Sequence, residues 1–185
     1  MPSQIQKFID DARHFQRTGN YELAIASLSL AHQKNQSKEH EIEIQKLLSF
    51  NYRKIKNFDM ALLHINNALR LNEERSNSKD AQSEKAICLM NKGIICEESL
   101  RYDKALDCYL LAVNIIIALY KGTPDKYGLI INALFTLGTY YYNRNQFDSA
   151  YEVLKSSLIY FGDGKELDRR YLAICNTLQE LQNRE

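Results

Sequence analysis

The chain has 185 residues, 24 Lys and Arg against 23 Asp and Glu for a formal net charge of +1, and 45% hydrophobic residues. That balance excludes the concentrated basic face of a nucleic-acid binder and the low hydrophobicity of a disordered chain. A chain of this length buries roughly 70% of its unfolded surface, so one domain spanning residues 1–185 is expected. The longest apolar run, Leu110 to Tyr120, is broken by Asn114 and is half of the ~20 residues that a bilayer span requires, so no membrane partner is expected. Met1-Pro2-Ser3-Gln4-Ile5 shows no basic region followed by an apolar core, so no secretory signal is read. Cys88, Cys96, Cys108 and Cys175 fall where helical patterning calls for small buried side chains and lack zinc-knuckle spacing. A cytoplasmic setting with no metal and no cofactor follows.

In chain order, helix-length patterns come in pairs separated by short breaks at Gly19-Asn20, Lys56-Asn57, Leu100-Arg101 and Asn145-Gln146. Breaks this short impose antiparallel packing. After each break stands an aromatic residue, an acid beside it, and Ala three places on: Tyr21-Glu22-x-Ala24, Phe58-Asp59-x-Ala61, Tyr102-Asp103-x-Ala105 and Phe147-Asp148-x-Ala150. A bulky residue follows four places later (Leu28, Ile65, Tyr109, Leu154) and a small one three beyond that (Ala31, Ala68, Ala112, Ser157). Offsets of three, four and seven share one helix face, so each copy writes the same buried stripe. The acid falls in the first turn, where the helix dipole favours it. Twelve places before each anchoring Ala stands another small residue, Ala12, Ser49, Gly93 or Gly138, which predicts close approach of the two helices. The repeats read as about 4–37, 38–80, 81–123 and 124–161. A last segment, 164–183, with Leu167, Tyr171, Leu172, Ile174, Cys175, Leu178 and Leu181, reads as a capping helix.

These motifs resemble the tetratricopeptide repeat family over residues 4 to 160. The pattern of small residue, aromatic, Gly-aromatic, Ala, bulky, Ala runs through Ala12, Phe15, Gly19, Tyr21, Ala24, Leu28 and Ala31, and through Gly138, Tyr141, Phe147, Ala150 and Leu154 in the fourth copy. The chain departs from the family in having no Trp and no terminal Pro in any copy, and in keeping the Gly before the aromatic only at Gly19. The resemblance implies an all-α, right-handed superhelical solenoid of about four hairpins plus the capping helix. The anchors lie 37, 44 and 45 residues apart, longer than the family's usual ~34. Asn72 to Ser83 and Lys121 to Asp125 are the expected extensions. In repeat length the chain is similar to the tetratricopeptide domains of kinesin light chains, of receptors for bacterial signalling peptides and of polarity adaptors.

Stacked repeats of this family curve, and their leading helices line the inner side. The candidate partner-binding residues there are Arg13 and Arg17, then Lys46, Phe50, Arg53 and Lys54, then Met90, Asn91 and Ile94, and finally Asn132, Phe135, Thr139 and Tyr142. Arg13, Arg17, Arg53 and Lys54 suit an acidic segment, the asparagines suit peptide backbone, and the apolar residues suit its side chains. The carboxylate clamp of some co-chaperones is absent, since its positions hold Ile9, Arg13, Leu47, Ile87 and Asn91. Catalytic residues are not found. His14, His32, His40 and His64 are scattered, and Gly162-Asp163-Gly164-Lys165 lacks the spacing of a phosphate loop. The expected function is a non-enzymatic scaffold that binds a protein or peptide segment in a concave groove. The alternatives are a peptide-sensing regulatory domain of a larger signalling protein and a secretion chaperone. The partner's identity and the oligomeric state are left open.

Overall fold

Each of the four aromatic–acid pairs opens a helix. The computed structural model describes residues 4–35, 37–75, 77–162 and 168–183. Its helices are α1 (Gln4–Arg17), α2 (Tyr21–Lys34), α3 (Lys38–Lys54), α4 (Phe58–Glu73), α5 (Lys79–Glu98), α6 (Tyr102–Tyr120), α7 (Tyr127–Asn143), α8 (Phe147–Ser157) and α9 (Arg169–Gln182). Single 3-10 turns at Pro124–Lys126 and Leu158–Tyr160 complete the described structure, which contains no strand. The fold is all-α, as the periodicity implies.

The breaks before α2, α4, α6 and α8 share one geometry. Gly19, Lys56, Leu100 and Asn145, each five places before its anchor, sit at φ of 75°, 60°, 62° and 57°. The next amide then reaches back five residues: Asn20 to the Phe15 carbonyl at 2.9 Å, Asn57 to Tyr52 at 2.8 Å, Arg101 to Cys96 at 2.7 Å and Gln146 to Tyr141 at 3.0 Å. This is a left-handed helix stop, which satisfies carbonyls that the helix end leaves open. The glycine that the family pattern has at this turn is replaced by Lys, Leu and Asn without loss of the geometry.

The repeated stripe is buried. Ala24, Ala61, Ala105 and Ala150 are fully inaccessible, as are Leu28, Ile65, Tyr109, Ala31, Ala68, Ala112 and Ser157, and Leu154 is 1% exposed. Ala12, Ser49, Gly93 and Gly138 are buried opposite them. At Ser49 the hydroxyl donates to the carbonyl of its anchor Ala61 at 2.8 Å. At Gly138 a Cβ would lie 2.5 Å from Leu154 Cδ2, so the close approach of α7 to α8 requires glycine.

The extra repeat length goes into helix. α1 and α2 have 14 residues each, whereas α5 has 20 and α6 has 19. The polar stretch Asn72 to Ser83 is therefore helical in good part, with 74, 75, 77 and 78 the described residues between α4 and α5. Ser78 caps α5 by accepting from the Ala81 amide at 3.2 Å, and the buried Asn72 amide donates to the Ala81 carbonyl at 2.8 Å. Lys121 to Asp125 does form a connection, with Pro124 starting its 3-10 turn.

The chain divides into two compact units, Met1–Ala105 and Leu106–Glu185. In the first, Ile9, Ala12, Ala24, Leu28, Ala31, Ile44 and Leu48 form a core joined by Phe8, Phe15 and Ile25. In the second, Leu154, Ile174 and Leu178 pack with Phe135, Tyr151, Leu158 and Phe161, while Tyr109 meets Tyr140 edge-on at 5.5 Å between ring centres.

Candidate partner-binding face

Within residues 1–105 the candidate face is carried by the leading helices α1, α3 and α5. Its basic side chains are mostly engaged with acids from the following leading helix. Arg13 pairs with Glu43, Lys46 with Glu84 at 2.5 Å, and Arg53 with Glu98. The sequence suggests a basic patch, and the structure shows a ladder of ion pairs linking α1 to α3 and α3 to α5. Arg17 and Lys54 are exposed and stand outside that ladder.

Phe50 is the prominent apolar feature of this face. It is 38% exposed, and the Arg53 guanidinium and the Lys54 ammonium each lie 5.4 Å from its ring centre. Tyr21 buttresses the ring edge-on from α2 at 6.5 Å. Beside it Lys46, Ser49, Phe50, Arg53, Asn91 and Ile95 enclose a hollow of about 20 Å³, room for little more than a water molecule. Met90, Asn91 and Ile94 are half-buried, and Ile87 is 38% exposed. The face therefore offers a protruding aromatic ring set among cations rather than a deep socket.

Within residues 106–185 α9 reaches part of the corresponding face of α7, where Asn132 and Thr139 stay exposed. Asn132 Oδ1 accepts from Arg170 Nη1 at 2.8 Å, and the Tyr142 hydroxyl donates to Glu180 Oε1 at 2.7 Å. Phe135 packs into the cluster built by Ile174 and Leu178. Thr139 remains exposed, and its hydroxyl donates to the Phe135 carbonyl at 2.8 Å. Asp168 caps α9 by accepting from the Arg170 amide at 2.8 Å, and hydrogen bonds from Arg170 pull its carboxyl down to about 2. The expected capping helix begins at residue 164, and its first residues, with Asp163, Gly164 and Lys165 of the glycine-rich stop, lie outside the described residues.

The histidines are less scattered than they look in sequence. His32 on α2 contacts Glu41 at 2.7 Å, Gln45 Nε2 donates to Glu41 at 2.6 Å, and Gln45 Oε1 meets His64 Nδ1 at 2.7 Å. Tyr52 stacks on His64 with 8° between the planes. Burial pushes the Glu41 carboxyl up, but hydrogen bonds from Gln45, Asn35 and His32 outweigh it and hold it below the usual range. Burial, helped by His32 and opposed by Glu41, lowers His64. The chain of contacts ties α2, α3 and α4 together. At Cys88 burial pushes the thiol up to about 12, so it stays protonated and acts as a packing residue. Among the described residues no group of His, Cys, Asp and Glu is placed to hold a metal, and no helix is long and apolar enough to cross a membrane.

No protein-family model and no curated protein matches the sequence. Solved structures do match its backbone. The apo form of RapI superposes with a TM-score of 0.78 at 17% identity, covering 98% of this chain and 64% of that one. A putative kinesin light chain with nearly identical TPR-like repeats from Podosopora anserina gives 0.76 at 14% identity, covering 99% and 87%. The yeast histone chaperone Hif1 gives 0.68 at 12% identity, covering 96% and 94%. The chain thus spans a little under two thirds of the RapI structure and most of the other two. Identities this low speak to the fold alone: the chain shares the all-α helical-repeat fold of TPR-like proteins.

Proposed function

We propose that the protein is a non-enzymatic interaction scaffold whose partner, a protein or peptide segment, docks on the leading-helix face of residues 1–105. The observation that carries this reading is Phe50, an aromatic ring held 38% exposed between Arg53 and Lys54 and supported from below by Tyr21. Rigid aromatic rings flanked by cations are what binding hot spots are made of. The ion-pair ladder around it fixes the neighbouring side chains before any partner arrives, which lowers the ordering cost of association. Hif1, one of the structural neighbours, is itself described as a scaffold protein recruiting protein complexes to core histones. Asn132, Phe135 and Tyr142 contact α9, and the proposed partner contacts centre on Phe50, Lys54, Asn91, Ile94 and Arg17.

A photo-crosslinking residue at position 50 or 87 tests the reading against the same residue at position 63, an exposed leucine on α4. Crosslinks to one and the same protein from positions 50 and 87, absent from 63 and suppressed by Lys54→Glu, are expected. Equal crosslinking from all three positions would remove the leading-helix face as the docking site.

A further inference from the structure

A second place in the 1–105 unit has the shape and charge of a docking site. The turn before α4 and the turn before α6 lie side by side and border a shallow, open cleft of about 610 Å³, lined by residues 55–59 and 98–101. It continues through Lys56, Phe58 and Glu98 into a second opening of about 540 Å³ that reaches Arg53 and Lys54. A cleft of this size admits an apolar side chain together with the backbone that carries it.

Two of its residues hold costly backbone. Lys56 and Leu100 are in the left-handed region at φ of 60° and 62°, which costs a side-chain-bearing residue about 1 kcal/mol or more. The same turn position in copies one and four is filled by Gly19 and Asn145, residues that adopt it readily. Leu100 recovers nothing by burial, because it is 70% exposed. An exposed leucine in strained backbone, facing a cleft floored by the half-buried Phe58 and Ile55, is poorly explained by stability alone.

The charges around the cleft are lopsided. Arg53 is paired with Glu98, and Arg101 with Asp59 at 3.0 Å. That leaves Lys54 and Lys56 as excess cations, both exposed and neither in an ion pair among the described residues. We propose that this edge cleft binds an acidic peptide segment bearing a bulky apolar side chain, which lodges between Phe58 and Leu100 while carboxylates on either side of it meet Lys54 and Lys56. The site shares Lys54 with the leading-helix face, but Lys56, Phe58 and Leu100 are its own and it does not require that anything dock on Phe50.

The test is fluorescence anisotropy of the full chain with a labelled, end-blocked hexapeptide Asp-Glu-Leu-Phe-Glu-Asp. Two companion peptides have Ala-Ala in place of Leu-Phe or Gln and Asn in place of the acids. Saturable binding of the first peptide is expected, weakened about tenfold by Lys56→Glu and about fivefold by Leu100→Asn, a change the left-handed turn tolerates. Leu63→Asn, which removes an exposed leucine elsewhere on the same unit, is expected to leave binding within about twofold. Thermal melts of each variant show that the fold is kept. Lack of saturation at about 1 mM peptide, equal binding by the Ala-Ala peptide, or indifference to both Lys56→Glu and Leu100→Asn would overturn the proposal. So would concentration-dependent self-association abolished by Leu100→Asn, because a second copy would then occupy the cleft.

Discussion

Asn51 is fully buried on α3, ten places before its anchor Ala61. Its amide donates to the Leu47 carbonyl at 2.7 Å, but its Oδ1 has no hydrogen-bond partner among the described residues. The same repeat position holds Ile95 and Tyr140, both buried, and His14, which is exposed. An apolar residue thus satisfies this position wherever a preceding hairpin covers it, and the lone oxygen is a destabilising departure. Asn51→Leu, which keeps the branching at Cγ, should stabilise the protein by about 1 kcal/mol and raise the melting midpoint by about 2–4 °C. Thermal unfolding followed by circular dichroism checks this. A lower midpoint would mean that an ordered water satisfies the oxygen and that the amide belongs to the packing.

Between elements, the His32–Glu41–Gln45–His64 chain is the polar seam joining α2, α3 and α4, and it sets the response to pH. His64 is lowered in the folded state, so the unfolded chain binds more protons once the pH drops below the ordinary imidazole value. Stability is therefore complete above about pH 6.5 and declines as the pH falls from there toward the folded value of His64. Glu41 is lowered too, and as a carboxylate its contribution is lost only further down, below its ordinary value of 4.5. The groups around His64 are Gln45, Tyr52, His32 and Glu41. In His64→Gln the fall in melting midpoint between about pH 7.5 and 5.5 should be roughly halved, while the loss below about pH 4.5 persists. An unchanged pH profile in that variant would place the effect in groups outside the seam.

For the molecule as a whole, the fold was legible because it is written locally and repeatedly. Four copies of one stripe, each within a dozen residues, place Ala24, Ala61, Ala105 and Ala150 in the same buried setting. In residue type only Gly19 and Asn145 signal a left-handed turn, since Lys56 and Leu100 give no sign of positive φ. The candidate face was legible in position but not in charge, because its neutralising pairs join residues 30, 38 and 45 apart, Arg13 to Glu43, Lys46 to Glu84 and Arg53 to Glu98. No spacing rule reaches that far without knowing how successive hairpins register. The same contrast separates what stabilises the chain from what dresses its surface. Partly exposed ion pairs contribute about 0–1 kcal/mol each and are screened by salt, whereas Leu28, fully inaccessible in the core of the first unit, should cost about 3 kcal/mol on truncation to Ala. Raising NaCl from about 0.05 to 0.5 M should thus move the melting midpoint by less than about 5 °C, and Leu28→Ala should lower it by about 10 °C. If salt proved the larger effect, the ladder on the leading helices would be structural in the first place, and the cations beside Phe50 would be committed to holding the repeats together before any partner could use them.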